Sequence, residues 1–99
     1  MLDQKILYTK ALKHMNMRVV TTSSSSTSVA ANAYVSITTQ APTTGTPVCL
    51  VGYMITGTGN TSINVYGMLY SSGKPTFYVR NTTGSAATIT ITAYSLVID

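Results

Sequence analysis

The sequence predicts a mainly β protein, an antiparallel β-sandwich of the jelly-roll or Greek-key type that follows a short N-terminal amphipathic helix. Two observations support this fold class. The tract 19–73 has no charged residue and no histidine, and it is rich in Thr, Ser, Gly and β-branched apolar residues, as strands and turns are. Turn residues interrupt the chain roughly every 8 to 15 residues, with no helical run between them. We therefore divide the chain into an anchor or docking helix over 1–17 and a β-sandwich domain over 18–99.

The opening segment predicts an amphipathic helix over 2–16, because its apolar residues recur at spacings of three and four. Asp3 suits the first turn, and Lys13 with His14 suits the last, since the helix dipole favours anions at the N-terminus and cations at the C-terminus. A broad apolar stripe beside lysines needs an apolar partner as well as a charge partner, so we expect this helix to dock on another protein. The residues expected to make that contact are Leu2, Lys5, Ile6, Tyr8, Lys10, Leu12 and Lys13.

After residue 17 the period of the apolar residues changes to two, which is the period of a strand. A first strand over 18–22 leads into a serine-rich loop or strand edge over 21–28. Polar and apolar residues alternate in 29–40, and this predicts a sheet with one buried side. The inward face is expected to hold Ala33, Val35 and Ile37, and the outward face Tyr34, Ser36 and Thr38.

The segment 48–56 is the most continuous apolar run of the chain. We therefore place it centrally in the sheet and interpret Cys49 as a small buried hydrophobe. Loop residues over 42–47 precede this strand. After it, Gly57 to Asn60 are expected to form a hairpin connection, because glycine supplies the positive φ that such a turn needs.

The remaining strands are predicted over 62–70, 76–81 and 87–98, with turns over 71–75 and 82–85, which makes six or seven strands in all. The last strand alternates most cleanly, with threonines outward and an inward face of Ile89, Ile91 and Ala93. The strand over 62–70 is partly apolar on both faces, which suits a sheet whose outer face also meets a neighbour. One face holds Ile63, Val65 and Leu69, and the other holds Asn64, Tyr66, Met68 and Tyr70.

Size and charge both favour self-association. A chain of 99 residues forms one domain with a modest core. A domain of this size buries roughly 60 to 65% of its unfolded surface, so its stability is marginal unless copies associate. Only 8% of the residues are charged, against roughly 25% in typical soluble domains, and weakly charged surfaces resist association poorly. We expect a homo-oligomer or an assembly component.

Catalysis and metal binding are not expected, because each needs two or three ionisable side chains that converge. Asp3 and Asp99 are the only acids of the chain, and His14 and Cys49 are its only imidazole and thiol. We expect no internal disulfide, because Cys49 is the single cysteine. We expect no signal peptide, because the opening lacks the necessary apolar run, and no membrane span, because no stretch of the chain is apolar for long enough. The prediction is a non-enzymatic protein without cofactor or metal, which is made in a reducing compartment or is stabilised by packing and assembly.

Tyrosines on the predicted strands favour a contact surface. Planar rings on a sheet face stack on sugars while polar neighbours fix orientation, although strands also favour tyrosine for packing and subunit contact. The residues considered for contact with a ligand or a subunit are Tyr66, Met68, Tyr70, Tyr78 and Arg80. Packing or subunit contact is the main hypothesis, and a carbohydrate- or receptor-binding module, with a host-surface glycan as its partner, is the alternative.

The net charge of +4 also raises a weaker alternative, a nucleic-acid-binding module. Its cations cluster mainly in the opening segment, and beyond residue 18 there are only Lys74 and Arg80. Phosphate backbones usually recruit more cations than this, so nucleic acid is not the expected partner.

A basic amphipathic opening, Leu2 to Lys13, precedes Thr/Ser/Gly-rich β segments such as 65–70 and 78–84. This arrangement resembles small structural proteins of tailed bacteriophages, namely fibre, tail-tip and head-decoration proteins, which are commonly trimeric β-sandwiches. The resemblance implies a virion component, made in the cytoplasm of a bacterial host, and it favours a homotrimer. It further implies that the helix anchors the chain to other virion proteins while the β domain projects outward or clasps neighbouring subunits.

Overall fold

The computed structural model of the protein describes residues 16–99, and strands make up 68% of it. The predictions of a mainly β protein and of six or seven strands are confirmed. The strands are β1 (Met17–Ser23), β2 (Thr27–Val29), β3 (Tyr34–Thr38), β4 (Thr46–Thr58), β5 (Ile63–Ser71), β6 (Lys74–Asn81) and β7 (Ala87–Ile98).

The helix predicted over 2–16 lies outside the described residues, apart from Asn16, which stands in a turn. From residue 16 onward the one helical element is a single 3-10 turn, Asn60–Ser62. This described part of the chain contains no helix with the length and hydropathy needed to cross a membrane.

The strands form two antiparallel sheets. In sheet A, β7 is central: β4 pairs along one of its edges, and β1 and β2 pair in succession along the other. In sheet B, β6 lies between β3 and β5. Most pairings therefore join strands that are far apart in the sequence.

The alternation predicted for the last strand is confirmed, and its predicted bounds coincide with β7. Ile89, Ile91 and Ala93 are completely buried, whereas the intervening threonines are exposed or only partly buried. Because side chains alternate between the two faces of a strand, this pattern fixes which face of sheet A points inward. The alternation in β3 is confirmed in the same way, with Ile37 buried and Tyr34 exposed.

Both sheets contribute to one apolar core. Its buried members come from β2, β3, β6 and β7. They are Val29, Ile37, Phe77, Val79, Ala87, Ile89, Ile91 and Ala93. Phe77 of sheet B also packs against Tyr53 of sheet A, with ring centroids 5.4 Å apart. Burying an aliphatic or aromatic side chain of this kind stabilises the fold by about 1.5 to 3 kcal/mol, so these contacts hold the sheets together.

The central position predicted for 48–56 is wrong. This segment belongs to β4, which pairs with β7 along one edge and with no other strand among residues 16–99. Several of its apolar side chains, including Val48 and Met54, are exposed. Cys49 is exposed as well, so its predicted burial is also wrong. The apolar run arises because both faces of an edge strand carry apolar residues, and period alone does not distinguish this from central burial.

The hairpin predicted at Gly57 to Asn60 is wrong as well, because β4 and β5 belong to different sheets. The predicted positive φ values are present, at 118° for Gly57 and 80° for Gly59. Glycine is required at position 57 for a second reason: a Cβ there would lie 2.2 Å from the carbonyl oxygen of Thr88. The glycines therefore carry the chain from one sheet to the other and do not reverse it within one sheet.

A β-bulge in β5 changes the predicted division of that strand into two faces. Val65 pairs with Val79, but Gly67 pairs with the next residue along, Tyr78, so that Tyr66 is an extra residue. Before the bulge the prediction holds, since Ile63 and Val65 pack against the core. Beyond it, Leu69 shares the outer face with Asn64, while Met68 and Tyr70 share the inner side, opposite to prediction.

Asn81 joins the two sheets through a buried side-chain amide. Its Nδ2 donates to the carbonyl of Val29 in sheet A at 3.2 Å and to that of Ser85 at 2.7 Å. Its Oδ1 accepts from the backbone N–H and the hydroxyl of Thr83, both at 3.1 Å. All the hydrogen-bonding positions of the amide are therefore used, as burial of a polar group requires.

Replacing Asn81 by aspartate is expected to lower the free energy of unfolding by about 3 kcal/mol or more, because a buried carboxylate cannot donate to the two carbonyls. Asn32→Asp is the control: Asn32 is an exposed turn residue, and the change there should cost less than about 0.5 kcal/mol. Urea denaturation at neutral pH measures both variants. Equal stabilities would contradict the role assigned to Asn81.

Candidate functional site

The outer face of sheet B carries a cluster of aromatic and polar residues. Cross-strand pairing aligns Tyr34 of β3 and Asn64 of β5 with Arg80 of the central strand β6. The neighbouring row contains Tyr78, which pairs with Gly67. Paired residues lie on the same face of a sheet, so these side chains share one surface. We call Tyr34, Asn64, Tyr66, Tyr78 and Arg80 the tyrosine face.

Three rings of the tyrosine face contact one another. Tyr66 packs edge-on against Tyr34, with centroids 5.8 Å apart and planes at 76°, and it lies 6.2 Å from Tyr78 at 41°. Edge-to-face and tilted arrangements at these distances are the favourable ones for aromatic pairs. Tyr34 and Tyr66 nevertheless remain 62% and 54% exposed. The cluster is therefore ordered by its own contacts and is still open to solvent.

Local backbone features place these rings. Tyr66 is the extra residue of the β5 bulge, and a bulge bends the strand and redirects the side chain that it inserts. Opposite Tyr78 stands Gly67, and a Cβ at that position would lie 3.4 Å from the ring of Tyr78. The ring therefore lies against the glycine backbone, in the space that a larger residue would fill.

Arg80 lies beneath these rings. Its guanidinium carbon is 5.0 Å from the centroid of Tyr34, which is within the range of a cation–π interaction. Its Nε is buried and has no hydrogen-bond partner within residues 16–99. Rings from the two edge strands meet above the central strand, and this explains how a surface arginine becomes partly covered.

The charge of Arg80 has no acidic partner in the described part of the chain. The one carboxylate side chain there is Asp99, which accepts from Nε of Arg18 at 2.9 Å. Residues 16–99 also contain no group of three His, Cys, Asp or Glu side chains that could hold a metal ion. The tyrosine face therefore combines exposed rings with a positive charge that no acidic side chain among residues 16–99 neutralises.

The outer face of sheet A has a different chemistry. Across β1, β7 and β4, Val19 pairs with Leu96 and Leu96 with Cys49, while Met17 pairs with Ile98 in the adjacent row. We call these five residues the apolar face. Val19 and Ile98 are 44% and 41% exposed, and Cys49 is exposed. The opposite end of the same outer face carries hydroxyl residues, such as Ser28, Thr58 and Thr88.

Of the contact residues predicted from the sequence, Tyr66, Tyr78 and Arg80 lie together on the tyrosine face. Met68 and Tyr70 lie on the other side of β5, and the hydroxyl of Tyr70 donates to the carbonyl of Cys49 at 3.3 Å. The predicted docking residues of the opening segment, Leu2 to Lys13, lie outside the described residues.

Tyr34 is the one ring of the tyrosine face that was not predicted from the sequence as a contact residue. Its outward position in the alternating segment was a usable signal. What places it beside Arg80 is the register between β3 and β6, which the local sequence does not specify.

Comparisons of this chain with protein-family models, with curated proteins and with solved structures find no match.

The contact between Tyr34 and Arg80 is expected to contribute a coupling of about 0.5 to 1 kcal/mol to folding, the size typical of an exposed cation–π pair. The measurement is a double-mutant cycle on unfolding free energies with Tyr34→Leu and Arg80→Gln. Tyr34→Leu with Lys74→Gln is the control cycle, since Lys74 lies six residues from Arg80 along β6. Additive effects in the first cycle would show that the pair does not interact.

Proposed function

We propose that the protein is a non-enzymatic structural component of a bacteriophage virion, of the head-fibre, decoration or tail-tip kind, which self-associates through its sheet faces. The observation that carries the proposal is the apolar face of sheet A, where Val19, Leu96 and Cys49 form a row across three strands. Exposed apolar surface that is continuous in this way marks interaction sites in proteins.

The occupant proposed for the apolar face is a second copy of the chain. None of the five residues of this face carries a charge, so a complementary surface must be apolar rather than ionic. A copy of the same chain offers such a surface, and a standard interface needs only about 800 Å² from each partner. The outer edge of β4 pairs with no other strand among residues 16–99, and no charged residue of β4 opposes pairing with a second copy.

The finer fold belongs to the same proposal: sheets A and B pack face to face as a β-sandwich with Greek-key or jelly-roll connections. The shared core supports it, because Phe77 of sheet B and Ile91 of sheet A belong to one buried cluster. Pairing between distant strands, such as β1 with β7, is the kind that long Greek-key connections produce.

A virion role for the domain, with three copies as the favoured assembly, is supported by the resemblance of the opening and of the β segments to phage structural proteins. Attachment is assigned to the opening segment, which the sequence predicts to be an amphipathic docking helix. That segment joins the domain at Met17, and Met17 pairs with Ile98 on the apolar face. Attachment and self-association would therefore involve neighbouring parts of the surface.

The wild-type chain is expected to be an oligomer, with three copies favoured. The double variant Val19→Lys with Ile98→Lys is expected to be a monomer, because the interface would have to desolvate two charges. Thr58→Lys with Thr88→Lys is the matched control, since it adds the same charge at the hydroxyl end of the same face. The measurement is light scattering after size exclusion, at low and high salt.

Cys49 gives an independent readout of the same interface. It is the only thiol of the chain and lies in the same row of the apolar face as Val19 and Leu96. A maleimide should modify it slowly in the oligomer and rapidly in the lysine variant. A wild-type monomer, or an oligomer in which Cys49 reacts as fast as in the lysine variant, would contradict the proposed interface.

Deleting residues 1–15 is expected to leave the domain folded, because residues 17–98 form both sheets and a shared core among themselves. The midpoint of thermal unfolding should change by less than about 4 °C, the shift that roughly 1 kcal/mol produces in a domain of this size. The shortened chain should no longer co-sediment with particles of the phage that encodes it. Loss of folding, or unchanged co-sedimentation, would overturn the anchor role.

A further inference from the structure

We infer that the tyrosine face of sheet B is a binding site for a saccharide that carries a carboxylate. This site is separate from the apolar face, which lies on the other sheet, and it would add recognition to a protein proposed here as an assembly component. One juxtaposition supports this: exposed Tyr34 contacts both Tyr66 and Arg80, and the charge of Arg80 has no acidic partner among residues 16–99.

The rings and their polar neighbours fit a sugar. Pyranose rings present apolar C–H faces that pack on aromatic rings, and hydroxyls that bond to nearby polar groups. Tyr34 and Tyr66 expose more than half of their surface, at 62% and 54%. Asn64 and Ser36 are exposed on the same face, in the rows of Arg80 and Tyr78. The surface therefore supplies stacking and hydrogen bonding side by side.

The guanidinium of Arg80 selects for a carboxylate on that sugar. Arginine binds carboxylates through a planar fork of donors, and such bonds are stronger than neutral ones. The nearby rings partly exclude water, which strengthens electrostatic attraction at this point. Nε is buried, so the carboxylate would be met by the two terminal nitrogens of the guanidinium.

A second copy of the chain is a poor partner for this face. A two-fold contact would place Arg80 near its own copy, and like charges in contact oppose association. Any other contact between copies would need an acid, and in residues 16–99 the one acidic side chain, Asp99, is already paired with Arg18.

A single-stranded nucleic acid is also disfavoured. Such ligands need several cations along a groove and rings on which successive bases stack. Here Arg80 is the one cation of the face, and Tyr34 and Tyr66 stand at 76° to each other, so that they form no stacking ladder. Lys74 lies six residues away along β6, roughly 20 Å in an extended strand.

The test measures binding of the full chain by isothermal titration calorimetry to two pairs of probes. Sialyllactose is compared with lactose, and tetragalacturonic acid with its methyl ester, so that each pair differs in the carboxylate. At least one acidic probe should bind about tenfold or more tightly than its neutral counterpart, and added salt should weaken it.

Variants assign the binding to named side chains. Arg80→Gln should abolish the preference for the acid, and Arg80→Lys should keep part of it, because the charge remains and the planar fork is lost. Tyr66→Leu should weaken the acidic and neutral probes alike. Lys74→Gln is the control for charge and should change nothing. Circular dichroism and thermal unfolding verify that each variant is folded.

Several results would overturn the inference: no binding of either acidic probe at millimolar concentration, an acid preference that survives Arg80→Gln, or tighter binding of a ten-residue oligothymidylate than of the acidic sugars. Burial of Tyr66 between copies would also overturn it, and Tyr66→Leu would then lower the mass in solution. The double variant Val19→Lys with Ile98→Lys should still bind the acidic probe, which separates this site from the proposed interface.

Discussion

The alternation of buried and outward-facing side chains along β7 is the constraint on which the rest of the structure depends. β1, β2 and β4 all take their ladder hydrogen bonds from this one strand, so sheet A exists only while β7 is in register. A slip by one residue would exchange Ile89 and Ile91 for threonines on the inner face. The twelve residues of β7 therefore fix both the core beneath the sheet and the apolar rows above it.

The second sheet is tied to the first by apolar packing and by polar links, of which Asn81 makes the buried one. Phe77 and Val79 enter the same core as β7, and Asn81 reaches from β6 to the backbone of Val29. The Asn81 amide has all its hydrogen-bond donors and acceptors paired. It therefore favours one arrangement of the sheets over others, because a shift of one sheet against the other leaves a donor or acceptor unpaired. Since the inner residues of β6 are fixed in this way, the alternate residues Tyr78 and Arg80 must face outward.

How far the sequence predicts this molecule depends on whether a feature is local. The alternation of β3 and β7 depends on period alone, so their inward faces are predicted correctly, as is the turn at Ser72 and Gly73, both with positive φ. The position of β4 at an edge, the exposure of Cys49 and the bulge at Tyr66 depend on pairing partners, which period does not show. The tyrosine face was predicted in part, because bringing Tyr34 to Arg80 requires the register between β3 and β6.

The two outer faces differ in chemistry, so that one suits self-association and the other suits binding of a ligand. In the proposed face-to-face packing, where the inner faces share one core, the apolar face and the tyrosine face would point away from each other. Copies that associate through sheet A would leave their tyrosine faces open. Single-site binding of a sugar by an exposed surface is weak, but several such sites on one assembly raise the effective concentration for each further contact. Self-association would then allow the tyrosine face, which binds a single sugar weakly, to hold a multivalent acidic glycan.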